Sequence, residues 1–202
     1  MRLYLSPGAC SLSPHIALAE SGLPYTVDKV SLATHKTEHG DDFYAVNEKG
    51  YVPVLELDDG RRLTEGPAIV QWIADQSPAT KLAPPNGTFE RAQLQEWLNF
   101  ISTELHKQFS PLFDKSAAPE LKAQQSAKIT KRFASIEEHL TGRDYLMGVD
   151  FSVADGYLFT IMRWAHHMKV DTSSMPMLDA WYARVAARPG VKVALGAEGI
   201  RA

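Results

Sequence analysis

The sequence predicts an α/β domain followed by an all-α domain. Three observations carry that reading: mixed strand and helix signals over the first 80 residues, a proline-rich break at 78–88, and helical periodicity from there onward. Residues 1–5 read as a strand. Pro14, which lacks a backbone N–H, fits only the first turn of the helix that follows, over roughly residues 11–21. Pro24-Tyr-Thr-Val-Asp-Lys-Val30 supplies a second strand and completes a βαβ unit. Pro53-Val-Leu-Glu-Leu57 alternates as a strand, Asp59-Gly60 turns the chain, and Arg62-Leu63 returns as a short hairpin partner. Thr64-Glu-Gly-Pro67 then opens a helix whose apolar face is Ile69, Trp72 and Ile73, ending near Ser77. The expected boundaries are 1–80 for the first domain, 81–87 for a linker and 88–202 for the helical domain.

In the helical half, turns are expected at Ser116 to Pro119, Gly142 to Asp144, Asp171 to Pro176 and Pro189-Gly190. On an ideal helix Leu94, Leu98, Ile101, Leu105, Phe109 and Leu112 fall within about 80° and form a core stripe. Asn99, Thr103 and His106 form a second stripe about 100° away. Ser152-Val-Ala-Asp155 matches a capping box, which predicts a buried helix from Val153 to about Met168. A hydrophobic staple is not expected with it, because the position facing Phe151 is Gly156.

Composition excludes several classes. The 21 basic and 24 acidic residues give a formal charge of 21 − 24 = −3, with no basic stripe to follow a phosphate backbone, so nucleic acid is not an expected partner. The apolar start is too short for a signal peptide, and nowhere do about 18 apolar residues run together, so a soluble cytoplasmic protein without a membrane partner is expected. A single cysteine allows no internal disulfide or CxxC pair. Nucleotide-binding and hydrolase glycine motifs are absent. Histidines at 35, 39, 106, 139, 166 and 167 are scattered, and His35-x-x-x-His39 has ligand spacing but no evident third ligand, so no metal site is expected.

The chemical lead is Cys10, in Ser6-Pro-Gly-Ala-Cys-Ser-Leu-Ser-Pro14 between the first strand and the first helix. Its position fits two readings: a thiol activated by the N–H groups and dipole of the helix start, and a small buried hydrophobe. Val52-Pro53 precedes a strand. A cis bond there would expose the Val52 backbone to an extended ligand, whereas an ordinary trans bond would not. Glu65-Gly66 at a helix start suits a ligand with a carboxylate and an ammonium, or a plain acidic first turn.

Together the βαβ-ββα half with its cysteine, Val52-Pro53, Thr64-Glu-Gly-Pro67 and Ser152-Val-Ala-Asp155 resemble a glutathione S-transferase over almost the whole chain. Ser6-Pro-Gly-Ala-Cys-Ser-Leu-Ser-Pro-His15, Trp97-Leu-Asn-Phe-Ile101 and Glu104-Leu-His-Lys-Gln108 are similar to the bacterial beta class. The resemblance implies a thioredoxin-like N-terminal domain, an all-α C-terminal domain and a homodimer. It also implies glutathione as co-substrate, with no permanently bound cofactor. Cys10 is then expected beside the glutathione sulfur, with Cys10 and His106 catalytic. Val52 pairs with the cysteinyl part and Pro53 is cis; Glu65 and Gly66 hold the γ-glutamyl end, and His35, His106 and Lys107 serve the sulfur and glycyl end. Asn99, Thr103 and Glu104 match a stripe that reaches glutathione across the dimer. Two departures are visible: Leu5 stands where relatives often carry tyrosine, and His35, followed by Lys36, where many carry lysine.

The resemblance implies an enzyme that keeps the glutathione sulfur anionic and presents it, in a groove between the domains, to a small hydrophobic or halogenated electrophile. Phe113, Trp164 and His167 are the candidate lining for that electrophile. The alternatives are a reductive dehalogenase or thiol transferase using Cys10 covalently, and a non-catalytic glutathione-dependent carrier.

Overall fold

Alternation along residues 3–5 sends Tyr4 to one face of a strand and Leu3 and Leu5 to the other, and all three are buried. A computed structural model describes residues 1–200. The first strand, β1 (Arg2–Leu5), pairs in parallel with β2 (Thr26–Ser31) and antiparallel with β4 (Val54–Glu56). β3 (Lys36–Thr37) and β5 (Arg62–Thr64) close the two edges, in the order β3-β2-β1-β4-β5. The β4–β5 turn closes as expected through Gly60, whose N–H donates to the Leu57 carbonyl at 3.0 Å and whose φ of 83° suits a residue without a Cβ.

On one face of this sheet Tyr4, Val30, Phe43, Val52 and Val54 form a buried cluster, with Ala9 and Val46 packed against it. Helix α1 (Leu12–Ser21) packs against α2 (Gly66–Gln76) and α8 (Pro189–Glu198). Ile16, Leu18, Ile69 and Ile73 are fully or almost fully buried, each worth about 1.5–3 kcal/mol relative to exposure. At Gly190 an added Cβ would lie 2.7 Å from Glu20 Cγ, so α8 approaches α1 too closely for a side chain there. Arg188 fixes Glu20 from the same side, with Nε and Nη2 donating to its two carboxylate oxygens at 3.1 and 2.6 Å.

The chain divides into two units, residues 1–83 together with Arg188 onward, and residues 84–187. The final helix therefore belongs with the sheet, whereas the sequence reading carried the helical domain to residue 202. No local pattern announces this. Helix α8 looks like any other amphipathic segment, and only its packing on α1 assigns it.

The second unit contains α3 (Phe89–Phe100), α4 (Ser110–Phe113), α5 (Pro119–Leu140), α6 (Val153–His167) and α7 (Pro176–Ala186). Between α3 and α4 the chain makes a π turn at Ile101–Leu105 and a 3-10 turn at His106–Phe109, not the single ideal helix that the periodicity predicts. Leu94, Leu98, Ile101, Leu105 and Phe109 are buried as expected, but Leu112 is only half-buried. A π turn winds less per residue than an α-helix, which shifts every later position around the axis. Asn99, Thr103 and Lys107 are accordingly the exposed residues, and His106 leaves the stripe and turns inward.

The capping box at Ser152 and Asp155 forms. The fully buried Asp155 carboxylate accepts the Ser152 N–H and hydroxyl on Oδ2 and the Leu146 N–H and Trp181 Nε1–H on Oδ1, all at 2.9 Å. Burial raises its pKa, and these hydrogen bonds oppose the rise. Phe151 packs edge-on against Tyr145, with ring centroids 5.8 Å apart. Among the described residues, no helix is long and apolar enough to cross a membrane.

Candidate functional site

Cys10 sits in the turn that leads into α1, half-buried and in no disulfide, with Ser13 N–H donating to its carbonyl at 3.2 Å. Its thiol donates to the Val52 carbonyl at 3.4 Å. That contact joins two sequence candidates 42 residues apart. The Val52-Pro53 bond is cis. The parallel β1–β2 pair and the antiparallel β1–β4 pair bring these segments together, because the Cys10 turn leaves the end of β1 and residues 52–53 enter β4 beside it.

Three further groups hold the Cys10 turn. The buried Ser11 hydroxyl accepts Ser6 N–H at 3.0 Å and donates to Ser6 O at 3.2 Å, so it braces the turn. Glu198 of α8 accepts the Gly8 N–H on Oε2 at 2.8 Å. Its Oε1 lies 2.8 Å from His15 Nδ1, and both side chains are buried. Gly8 has a φ of 74°, a backbone state that glycine adopts without strain, and this aims its N–H at the carboxylate. Neither Glu198 nor His15 emerged from the sequence as a site residue. Nothing local marks a glutamate 190 positions from its partner.

Position 5 is a fully buried leucine, whose hydrocarbon side chain offers no hydroxyl. Tyr4 points to the opposite face, into the cluster with Phe43, and its hydroxyl accepts from Arg2 Nη1 at 3.4 Å. Glu65 precedes α2 with φ 69° and ψ 111°, a region costly for a residue with a Cβ. Its exposed carboxylate lies 3.8 Å from Lys49 Nζ. No side chain caps this helix; Pro67 has no N–H and the Ala68 and Ile69 N–H groups donate to Glu65 O at 3.0 Å, so the Gly66 N–H, with open space where its side chain would be, is the donor left at this helix start to meet an anion. His35, at φ 50°, stacks obliquely on Tyr44 at 4.6 Å. Its Nδ1 is buried without a hydrogen-bond partner, which leaves Nε2 as the nitrogen able to meet a ligand.

In the second unit His106 Nδ1 and the Tyr157 hydroxyl are 2.6 Å apart. Burial, and secondarily the Lys107 charge, lower the His106 pKa to about 4, so the ring is neutral at pH 7. The partner Tyr157 was not a sequence candidate, because nothing in the spacing of 51 residues announces it. Trp164 packs edge-on against His106 at 4.9 Å and Phe113 at 5.2 Å, and Phe109 joins this aromatic group at 5.8 Å from Trp164. Phe113 keeps 45% of its surface exposed. His167 is exposed and makes no ring contact with the group among the described residues; its neighbour His166 packs instead on Tyr182 at 4.7 Å. The Thr103 hydroxyl donates back to Asn99 O at 3.0 Å, and Glu104 is paired with Arg132 at 2.6 Å.

Known proteins match both halves of the chain. The family profile for the glutathione S-transferase N-terminal domain matches residues 8–76, and that for the C-terminal domain matches residues 100–189. The chain is 44% identical to glutathione S-transferase GstA of Escherichia coli O157:H7, with 100% of both sequences covered. It is 39% identical to glutathione S-transferase GST-4.5 of Xanthomonas campestris, covering 99% of this chain and 100% of the other. Among solved structures it is similar to a ternary complex of BphK, a bacterial enzyme of this type, with 52% identity, a TM-score of 0.97, and 99% and 100% of the two chains covered. A bacterial beta class enzyme of Sphingomonas chungbukensis matches with 47% identity and a TM-score of 0.96 over 100% of both chains. A sphingomonad enzyme solved with glutathione matches with 46% identity and a TM-score of 0.95 over 100% of both.

Proposed function

Because the chain belongs to the glutathione S-transferase family, with its thioredoxin-like N-terminal and helical C-terminal architecture, we propose that its first unit binds glutathione along Cys10, Val52, Pro53, Glu65 and Gly66 for conjugation to small electrophiles. The observation that carries this reading is the Cys10 thiol on the Val52 carbonyl beside the cis Pro53. An extended tripeptide paired with the Val52 backbone would set its own sulfur next to Cys10. The Val52 N–H has no partner among the described residues and suits that pairing. The γ-glutamyl carboxylate would take the uncapped start of α2, with Glu65 holding the ammonium. His35 Nε2 would serve the glycyl end.

The chemistry asked of these groups is modest. Holding a thiol with a pKa near 6.5 instead of about 9 raises its ionised fraction at pH 7 by nearly two orders of magnitude, and positioning supplies the rest. Cys10 acts by donating or sharing a proton with the bound sulfur. His106, neutral by virtue of its burial, acts as an N–H donor and not as a cation. Trp164 and Phe113 supply apolar surface for the electrophile. Asn99 and Thr103, both exposed, belong with Glu104 to the face that a second copy would cover in a homodimer, Lys107 would serve the glycyl end, and a cytoplasmic setting goes with this reading.

Conjugation of glutathione to a chloro-nitroaromatic compound tests the reading, with glutathione affinity measured separately by calorimetry. Turnover is expected in the wild type, and Cys10→Ala is expected to lose mixed-disulfide formation with glutathione. Tight glutathione binding without turnover of any electrophile class would identify a carrier instead. The half-buried thiol also favours a second reading, in which the Cys10 thiolate attacks the sulfur of a glutathione thioether, the carbon group leaves with the electron pair and takes up a proton, and a second glutathione cleaves the Cys10–glutathione disulfide to oxidised glutathione and free Cys10. Full dehalogenation or thiol transfer by Cys10→Ala would exclude it.

A further inference from the structure

Away from the Cys10 site, the edge of the sheet assembles three potential metal ligands from two segments. β2 and β3 pair with Val30 opposite Thr37, and the chain then folds back on itself. The Thr37 hydroxyl accepts the N–H groups of His39 and Asp41 at 3.3 Å, and Thr37 N–H donates to Asp41 O at 2.9 Å. Glu38 is held against β2 by two bonds: its N–H donates to Lys29 O at 2.7 Å, and its Oε1 accepts Lys29 N–H at 2.9 Å. This turn sets Glu38 and His39 beside Asp28, and one ligand atom from each of the three lies within 4.8 Å of the others.

Asp28 itself is the telling member. It is only 5% exposed, on the face of the sheet that carries Val30 and Tyr4, and its Oδ1 is buried with no hydrogen-bond partner. A carboxylate oxygen hidden from water without a donor is costly unless something positive meets it. Two further charges act on it, Asp41 reinforcing the negative set and Arg2 opposing it. From this geometry we infer that Asp28, Glu38 and His39 form a binding site for a divalent first-row transition cation. Two carboxylates and an imidazole suit Zn²⁺ or Mn²⁺ better than Mg²⁺ or Ca²⁺, which prefer oxygen ligands alone. The ion ties the β3 turn to β2 and leaves its remaining positions to water. The histidine pair visible in the sequence contributes one ligand only. His35 belongs elsewhere, and Asp28 is brought in by strand pairing.

The test uses the untagged, metal-stripped full-length protein. Calorimetric titration with Zn²⁺ is expected to show one ion per chain, and His39→Gln and Glu38→Gln are each expected to weaken binding roughly tenfold or more. Both residues are exposed, so these variants should keep the fold. Asp28→Asn is expected to abolish binding, with circular dichroism confirming that it folds. His166→Gln combined with His167→Gln should change nothing. No Zn²⁺ uptake by the wild type, uptake unchanged in both Glu38→Gln and His39→Gln, or uptake lost in the His166/His167 variant would each overturn the site. So would a thiolate charge-transfer band on Co²⁺ addition, which would mark Cys10 as the ligand. None of these outcomes depends on transferase activity.

Discussion

Each unit is organised around a buried carboxylate, and the two are built in opposite ways. Asp155 in the second unit collects its donors nearby, from Ser152, three residues back, from Leu146, nine back, and from Trp181, 26 onward. Glu198 in the first unit joins elements from the two ends of the chain, with one oxygen on Gly8 and the other on His15, 190 and 183 residues away. The first arrangement starts a helix. The second fixes the turn that carries Cys10. A local carboxylate therefore secures the start of a helix in its unit, whereas a long-range one sets the geometry of the turn that carries Cys10.

The sharpest way to break this contrast is to remove each carboxylate. Asp155→Ala leaves four donors without an acceptor in a dry interior and should cost about 3–5 kcal/mol, read as the shift in urea unfolding. Glu198→Ala should cost about 2–4 kcal/mol, because it strands the Gly8 N–H and the His15 ring. The contrast predicts a further difference. In folded Glu198→Ala the loss should fall on kcat with KM for glutathione less affected, because Val52 and Gly66 still bind while the Cys10 turn loosens. Folded Asp155→Ala at low temperature should retain its kinetic constants. Equal kinetic effects in both would dissolve the distinction.

His106 sharpens the comparison through pH. Its folded pKa of about 4 lies below the ordinary histidine value, so the folded state resists protonation. Stability is undiminished above pH 6.5 and declines as pH falls from 6.5 through 4, by at most about 3 kcal/mol. His106→Asn should flatten that part of the stability profile. The wild-type kcat/KM should show no inflection from this ring between pH 5 and 8; one that vanishes in His106→Asn would show that the ring titrates during catalysis. The smallest effect is expected at Gly190. Gly190→Ala should cost about 1 kcal/mol in spite of alanine's better helix propensity, because Glu20 is pinned by Arg188 against the new Cβ. Pairing it with Glu20→Ala should recover the loss.

The difference between the two carboxylates also explains what could be read in advance. The Ser152–Asp155 box, the hairpin at Gly60 and the helix starts at Pro14 and Pro67 follow from residues within a few positions of one another. The π turn after α3 was not visible, because its hydrophobic spacing imitates an ordinary helix, and it turned His106 away from the stripe of Asn99 and Thr103.

By itself the sequence determined most of the strands and helices and the break between its two halves, since propensity, capping and turn chemistry act over a few residues. Tertiary structure alone decided that Cys10 faces Val52, that Glu198 clamps Gly8, that His106 is neutral beside Tyr157, and that α8 belongs to the sheet-bearing unit. The physical reason is that burial, hydrogen-bond partners and charge are properties of neighbours in space. Strand pairing and helix packing supply those neighbours from positions tens to nearly two hundred residues away.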